Sequence, residues 1–160
     1  MKLIASFFYT GYLRPAPGTW GSLAAIPFAY ALHQLGGFTL LVVATTLVFA
    51  LGWWATAVVT RDGDHDPSWV VIDEVVGQWI ALLPVSYGAM MMGIDTLRLY
   101  PGWIVGFVLF RLFDIWKPWI VGWADRMGTP LGVMLDDVIA GVFAALGAIA
   151  LASLYHGVLM

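Results

Sequence analysis

Long apolar runs separated by short polar stretches dominate the pattern of this chain. Three runs are long enough for a helix that crosses a bilayer core of about 30 Å at about 1.5 Å per residue. They are residues 38–60, 75–92 and 138–155. Two weaker runs cover residues 20–35, with Pro27 inside, and residues 100–112, with Arg111 near the end. The pattern predicts an all-α, polytopic membrane helix bundle with about five apolar segments.

The composition favours a membrane protein over a soluble domain. Hydrophobic residues make up 61% and charged residues 11% of the 160 positions, against roughly 25% charged residues in soluble domains. The chain contains no cysteine, which excludes disulfides, thiolate metal sites and a cysteine nucleophile. The net charge of −3 argues against a nucleic-acid partner. The length predicts one membrane-embedded domain over residues 1–160.

The basic residues indicate which side of the membrane each loop occupies. If all five segments cross, Gly36–Gly37 forms a tight turn between the first two, and residues 61–74 and 111–137 share a side with the N-terminal stretch. That side holds Lys2, Arg14, Arg61, Arg111, Lys117 and Arg126. The opposite side holds only Arg98. Because Lys and Arg are enriched in cytoplasmic loops, the side with six basic residues is predicted to be cytoplasmic. A four-span arrangement with one re-entrant segment would break this alternation.

Two pairs of acidic residues open apolar helices on the predicted cytoplasmic side. They are Asp73 with Glu74 and Asp136 with Asp137. A bare carboxylate at such a place costs about several kcal/mol, so a cationic partner or a bound metal is expected. Oxygen-only ligands suit a hard cation such as Mg²⁺, and we predict that these four residues are its ligands. For Asp73 and Glu74, the alternative is a favourable interaction with the dipole of the helix that they begin.

The loop before Asp73 holds further candidates. Asp62, Asp64 and Asp66 alternate there, and a solvated acidic turn explains them as well as a ligand role does. His65 is a candidate general acid, although an ordinary loop histidine is the simpler interpretation.

Arg111, Asp114 and Lys117 follow one another at intervals of three residues. On a helix such residues lie within about 120° of one another, so all three can face one cavity. Arg binds phosphate oxygens in a bidentate manner and Lys acts as a point charge. The alternative is an ion network within the helix that faces lipid headgroups.

The segment "GTWGS", residues 18–22, precedes an apolar run. Free backbone N–H groups and two hydroxyls at a helix N-terminus favour anions, including phosphate. We therefore predict phosphate binding by Thr19, Gly21 and Ser22. Simple helix entry, with Thr19 or Ser22 as the cap, is the alternative.

Four motifs resemble those of the phosphatidylglycerophosphatase A family. They are "PGTWGSLAAIPF", "DHDPSWVVIDEVVGQW", "FRLFDIWKP" and "MLDDVIAG", and they occur in the family's order at similar separations. The resemblance implies a bacterial inner-membrane phosphatase that requires Mg²⁺ and converts phosphatidylglycerophosphate to phosphatidylglycerol and inorganic phosphate. It points to the following site residues: Asp73, Glu74, Arg111, Asp114, Lys117, Asp136 and Asp137.

The chemistry of the residues agrees with that expectation. Hydrolysis of a phosphate monoester needs neutralisation of the phosphate charge and an activated water. Carboxylate-bound Mg²⁺ supplies both, Arg111 and Lys117 are candidates to hold the phosphate, and Asp114 is a candidate base or nucleophile.

Two other functions compete with this one. A small membrane transporter or channel could use clustered acids as a cation path, but it needs polar groups through the whole bilayer. A phosphatidyltransferase would carry a characteristic Ala-Arg shortly after Asp62-Gly63, which this chain lacks.

Overall fold

A computed structural model describes residues 1–61, 63 and 66–159, and all regular structure in that part of the chain is helical. The α-helices are α1 (Lys2–Ala5), α2 (Pro17–Val59), α3 (Ile72–Met92), α4 (Tyr100–Trp116), α5 (Ile120–Asp125) and α6 (Pro130–Leu159). Short 3₁₀ helices cover Thr10–Tyr12 and Thr96–Leu99. Asp62, Asp64 and His65 lie outside the described residues. The predicted all-α bundle is confirmed.

Helix α2 is broken in the middle by two glycines. Gly36 has φ −156° and ψ 19°, and Gly37 has φ 66° and ψ −159°. The combination of φ and ψ at Gly37 is adopted almost only by glycine, because glycine lacks a Cβ atom. The break divides α2 into a first arm, residues 17–35, and a second arm, residues 38–59.

The first arm runs in the same direction as α3. Gly18, near its start, lies against Glu74, and His33, near its end, pairs through Nδ1 with Ser86 Oγ at 2.7 Å. The start of the arm therefore lies beside the start of α3.

The second arm runs in the opposite direction along α3. Phe38, at its start, packs its ring against that of Tyr87, with centroids 5.4 Å apart. Gly52, near its end, lies beside Ile72 at the start of α3. The chain thus reverses at Gly36–Gly37, which confirms the predicted tight turn.

Among the described residues, four helices are long and apolar enough to cross a membrane. They are α2, α3, Thr96–Trp116 with α4, and α6 as far as Tyr155. Because α2 folds back on itself, its two arms are about 28 Å and 33 Å long at 1.5 Å per residue. The bundle therefore has five apolar helical segments, in agreement with the hydrophobic pattern.

The helix that carries the second acidic pair begins earlier than the pattern predicts. Asp136 and Asp137 lie well inside α6, which begins at Pro130, and not at its first turn. Proline is favoured in the first turn of a helix, because its fixed φ suits the helix and its missing N–H would have no partner there. Both carboxylates therefore belong to the interior of α6 and not to its N-terminal turn.

Replacing Gly37 by Ala should destabilise the protein by about 1–3 kcal/mol, because a Cβ atom disfavours the backbone conformation at this turn. The space around Gly37 is open, so the effect is conformational and not steric. Thermal unfolding in detergent micelles measures it. Gly93→Asn is the control, since φ 62° and ψ 34° at Gly93 form a left-handed conformation that Asn tolerates. Equal melting temperatures for Gly37→Ala and the wild type would contradict the prediction.

Candidate active site

A polar cavity of about 280 Å³ lies at the end of the bundle where α3 begins and α4 ends. We call this end the site end. Its wall brings together the four helices α2, α3, α4 and α6 and the segment that precedes α3. The described residues that line it are Ala16, Pro17, Gly18, Asp66, Ser68, Val70, Asp73, Glu74, Arg111, Asp114, Ile115, Lys117, Asp136 and Asp137. All seven charged residues that the resemblance indicates therefore meet in one place.

Three carboxylates form the centre of the cavity. Oxygens of Asp73, Glu74 and Asp137 all lie within 4.8 Å of one another. Asp73 and Asp137 are buried, with 7% and 2% of their surface exposed. Glu74 Oε2 is buried without a hydrogen-bond partner among the described residues. Negative charges so close together in a buried place repel one another, and an oxygen-only set of this kind fits a hard divalent cation.

Two glycines explain how α3 and α6 bring these carboxylates together. Gly77, one turn after Asp73, contacts Gly141, one turn after Asp137: a Cβ added at Gly141 would lie 3.1 Å from Gly77 Cα. A Cβ at Gly77 would lie 2.6 Å from the Asp137 carbonyl oxygen. Glycine at both positions lets the two helices approach each other closely at this contact.

Asp136 faces Lys117 and does not belong to the three-carboxylate cluster. Lys117 Nζ donates to Asp136 Oδ2 at 2.8 Å and also to Asp125 Oδ1. Burial alone would lower the pKa of Lys117, but the hydrogen bonds to the two carboxylates raise it overall. Lys117 is therefore a fixed positive charge in the cavity wall.

Arg111 and Asp114 form an ion pair on the last turns of α4. Helix α4 ends at Trp116, and Lys117 is its cap, with φ 48° and ψ 54°. A helix that carried all three residues would include Lys117, but α4 ends one residue earlier, because a following proline disfavours the α conformation at the residue before it. All three charged residues still line the cavity. Lys117 pairs with carboxylates on α5 and α6, whereas an ion network within α4 would have paired it with a residue of α4.

The structure does not bring Thr19, Gly21 and Ser22 into the cavity wall that the described residues form. Ser22 is fully buried and its hydroxyl donates to the Gly18 carbonyl oxygen at 2.8 Å. Gly21 packs against the Val71 side chain. Phosphate binding by these three residues stays a prediction.

The N-terminal part of the same motif reaches the cavity. A Cβ atom on Gly18 would collide with Glu74 Oε1 and lie 3.2 Å from Arg111 Nη1. The absence of a side chain at Gly18 thus leaves room for two charged groups. The sequence shows the glycine, but its role in leaving room for the two charged groups follows only from the packing of the first arm against α3 and α4.

Asp66 and Ser68 also line the cavity. The sequence offered a ligand role for Asp66 without deciding it, and it gave no signal for Ser68. Both lie in the segment before α3, whose course depends on contacts distant in sequence, such as the hydrogen bond from Val71 N to Ala5 O at 2.9 Å.

Comparison with known proteins gives consistent matches along most of the chain. The family model described as phosphatidylglycerophosphatase A matches residues 3–152. The proteins named phosphatidylglycerophosphatase A from Escherichia coli and Haemophilus influenzae are both 36% identical, over 89% and 91% of this chain and 78% and 85% of their own lengths.

A third relative carries a different name. This protein from Bacteroides thetaiotaomicron, provisionally named a phosphatidylinositol-3-phosphatase, is 41% identical over 88% of this chain and 86% of its own length. No solved structure matches the chain significantly. The extent of the family match and the identities to its members together establish that the chain belongs to the phosphatidylglycerophosphatase A family.

Proposed function

We propose that this protein is a Mg²⁺-dependent lipid phosphatase that hydrolyses phosphatidylglycerophosphate to phosphatidylglycerol and inorganic phosphate. The observation that carries the proposal is the meeting of three close carboxylates, Arg111 and Lys117 in one cavity, in a chain of this family. A cation-binding cluster next to two phosphate-binding cations is the arrangement that phosphoryl transfer requires.

Asp73, Glu74 and Asp137 are the residues that would hold Mg²⁺. Their oxygens are close enough for one ion, and the unpartnered Glu74 Oε2 supports a cationic occupant. Bound there, Mg²⁺ supplies Lewis-acid chemistry at the phosphate. Asp136 has a separate role in this proposal, since its carboxylate holds Lys117.

The remaining residues bind the phosphate and transfer the proton of the attacking water. Arg111 and Lys117 contact the phosphate oxygens, and Asp114, which pairs with Arg111, takes the proton from the attacking water. The water oxygen forms the new bond to phosphorus, the bond between phosphorus and the glycerol oxygen breaks, and that oxygen takes up the proton that Asp114 received. The products are the lipid alcohol and inorganic phosphate.

We place the cavity at the cytoplasmic face of the bacterial inner membrane. The site end carries Lys117, Arg126 and the basic residues that lie just before and just after α2. Arg98 lies in the 3₁₀ helix at the other end of the bundle. A phosphate bound in the cavity would then belong to a lipid of the cytoplasmic leaflet. The bacterial source of the relatives supports a bacterial membrane.

Phosphate release by the purified protein in mixed micelles tests the function. We expect release from phosphatidylglycerophosphate, loss of release in EDTA and recovery with Mg²⁺. Phosphatidylinositol 3-phosphate is the comparison substrate, because one relative is provisionally named for it. Faster release from that lipid would overturn the proposed substrate. Cation flux in liposomes without release from either lipid would favour a transporter.

Replacing Arg111 by Lys should lower kcat/KM about ten-fold or more. The charge is kept, but the bidentate hydrogen bonds to phosphate are lost, and a hydrogen bond to a charged group contributes about 1.5–3 kcal/mol. Steady-state kinetics on phosphatidylglycerophosphate measures the change. Arg98→Lys, at the end of the bundle away from the cavity, should behave as the wild type. An unchanged kcat/KM for Arg111→Lys would show that Arg111 does not bind the phosphate through two bonds.

A further inference from the structure

The polar groups that the protein buries without partners are concentrated around the cavity. Among the described residues, six buried side-chain atoms have no hydrogen-bond partner. Four of these belong to Glu74, Arg111 and Gln78. Glu74 and Arg111 line the cavity, whereas Gln78 lies one helical turn deeper in α3 and has no place in the mechanism described above.

Gln78 is an unusual residue for its position. Its side chain is fully buried, and neither Nε2 nor Oε1 has a partner among the described residues. It lies inside a helix long and apolar enough to cross a membrane. Burial of an unpaired amide in such surroundings is costly, and a methionine or leucine of similar volume would fill the space without that cost. Packing therefore does not explain the amide.

The geometry of α3 relates Gln78 to Glu74. Residues four positions apart lie on the same helix face, with Cβ atoms about 6 Å apart, and a glutamine side chain can reach a carboxylate over that distance. Glu74 Oε2 is an acceptor without a donor, and Gln78 Nε2 is a donor without an acceptor. The two unpartnered groups are complementary.

We propose that Gln78 is a positioning residue whose amide N–H holds the Glu74 carboxylate in the orientation in which it binds the cation. The inference rests on the proposed function, because it assumes that Glu74 is a metal ligand. Groups that hydrogen-bond to metal ligands orient them, and their loss typically lowers metal affinity by about 10–100-fold. In this arrangement the N–H of Gln78 gains the Glu74 carboxylate as an acceptor.

Gln78→Met tests the proposal, because methionine keeps the length and volume but cannot hydrogen-bond to Glu74. The primary measurement is the Mg²⁺ concentration that gives half of the maximal thermal stabilisation of the purified protein, without substrate. We expect this concentration to rise about ten-fold or more, while the melting temperature without Mg²⁺ stays equal or rises. Gln78→Asn, which keeps an amide but is too short, should also weaken Mg²⁺ binding.

Thr96→Val is the matched control. Thr96 Oγ1 is another buried atom without a described partner, but it lies in the 3₁₀ helix that follows α3, away from the cavity. Its removal should leave the Mg²⁺ requirement unchanged. Wild-type Mg²⁺ affinity in both Gln78 variants would overturn the positioning role even if the wild type releases phosphate. A wild type that releases no phosphate would overturn the proposed function itself, and one that Mg²⁺ does not stabilise would overturn the metal site and the positioning role together.

Discussion

Replacing Asp137 by Asn is expected to lower phosphate release by at least about 100-fold while the protein still folds. The loss of a group that merely orients a metal ligand lowers activity or affinity by about 10–100-fold, so the loss of a ligand should cost at least the upper value. Folding should survive, because Asn has nearly the same shape as Asp and removes one of three mutually repelling charges. Phosphate release at saturating Mg²⁺ and thermal unfolding in EDTA measure the two effects.

Asp95→Asn is the control for this experiment. Asp95 lies at the far end of the bundle, where it accepts hydrogen bonds from Gln34 Nε2 at 3.1 Å and from Leu97 N at 2.7 Å. The two bonds go to different carboxylate oxygens, of which asparagine keeps one as an acceptor. The other bond is lost far from the cavity, so activity should not change. If Asp137→Asn retains wild-type release, Asp137 is not a metal ligand. If it fails to fold while Asp95→Asn folds, the carboxylate has a structural role that the cluster geometry does not indicate.

The hydrophobic pattern was sufficient to predict the five apolar helical segments and the reversal between the first two. An apolar run indicates directly whether a segment can cross a membrane, and Gly36–Gly37 separates the first two runs with no polar loop between them. The ends of the helices were harder, since they depend on local backbone preferences. Lys117 leaves the helix because Pro118 follows it, and α6 begins at Pro130.

The charged residues of the cavity were predictable for a different reason. Carboxylates and cations next to apolar helices are costly, so their presence alone singles out Asp73, Glu74, Asp137 and Arg111. Their partners were not predictable, because partnership depends on how helices distant in sequence pack. Asp136 was grouped with the metal ligands, yet it pairs with Lys117.

Small residues gave the weakest signals in the sequence. Glycines and hydroxyl residues in "GTWGS" suggested a phosphate site at Thr19, Gly21 and Ser22, but the residue of that motif that reaches the cavity is Gly18. A glycine that serves close packing is informative only once its neighbours are known. Gly18 leaves room for Glu74 and Arg111, whereas Gly21 leaves room for Val71.

The contact between α3 and α6 gives the second large expected effect. Replacing Gly141 by Ala should lower phosphate release by about 100-fold, although residue 141 does not line the cavity. The new Cβ atom would collide with the Gly77 carbonyl oxygen and lie 3.1 Å from Gly77 C and Cα. These are backbone atoms that cannot move independently of α3, so the two helices must separate.

Separation of α3 from α6 moves Asp137 away from Asp73 and Glu74, and a displacement of about 1 Å at a reacting site can cost about 100-fold in rate. Overpacking should also lower the free energy of unfolding by about 1–3 kcal/mol. Gly88→Ala is the matched control, because its Cβ atom would meet only Leu99 Cδ1, at an ordinary 3.6 Å. Unchanged release by Gly141→Ala would mean that the carboxylate cluster tolerates a wider helix spacing, and the close glycine contact would then serve stability alone.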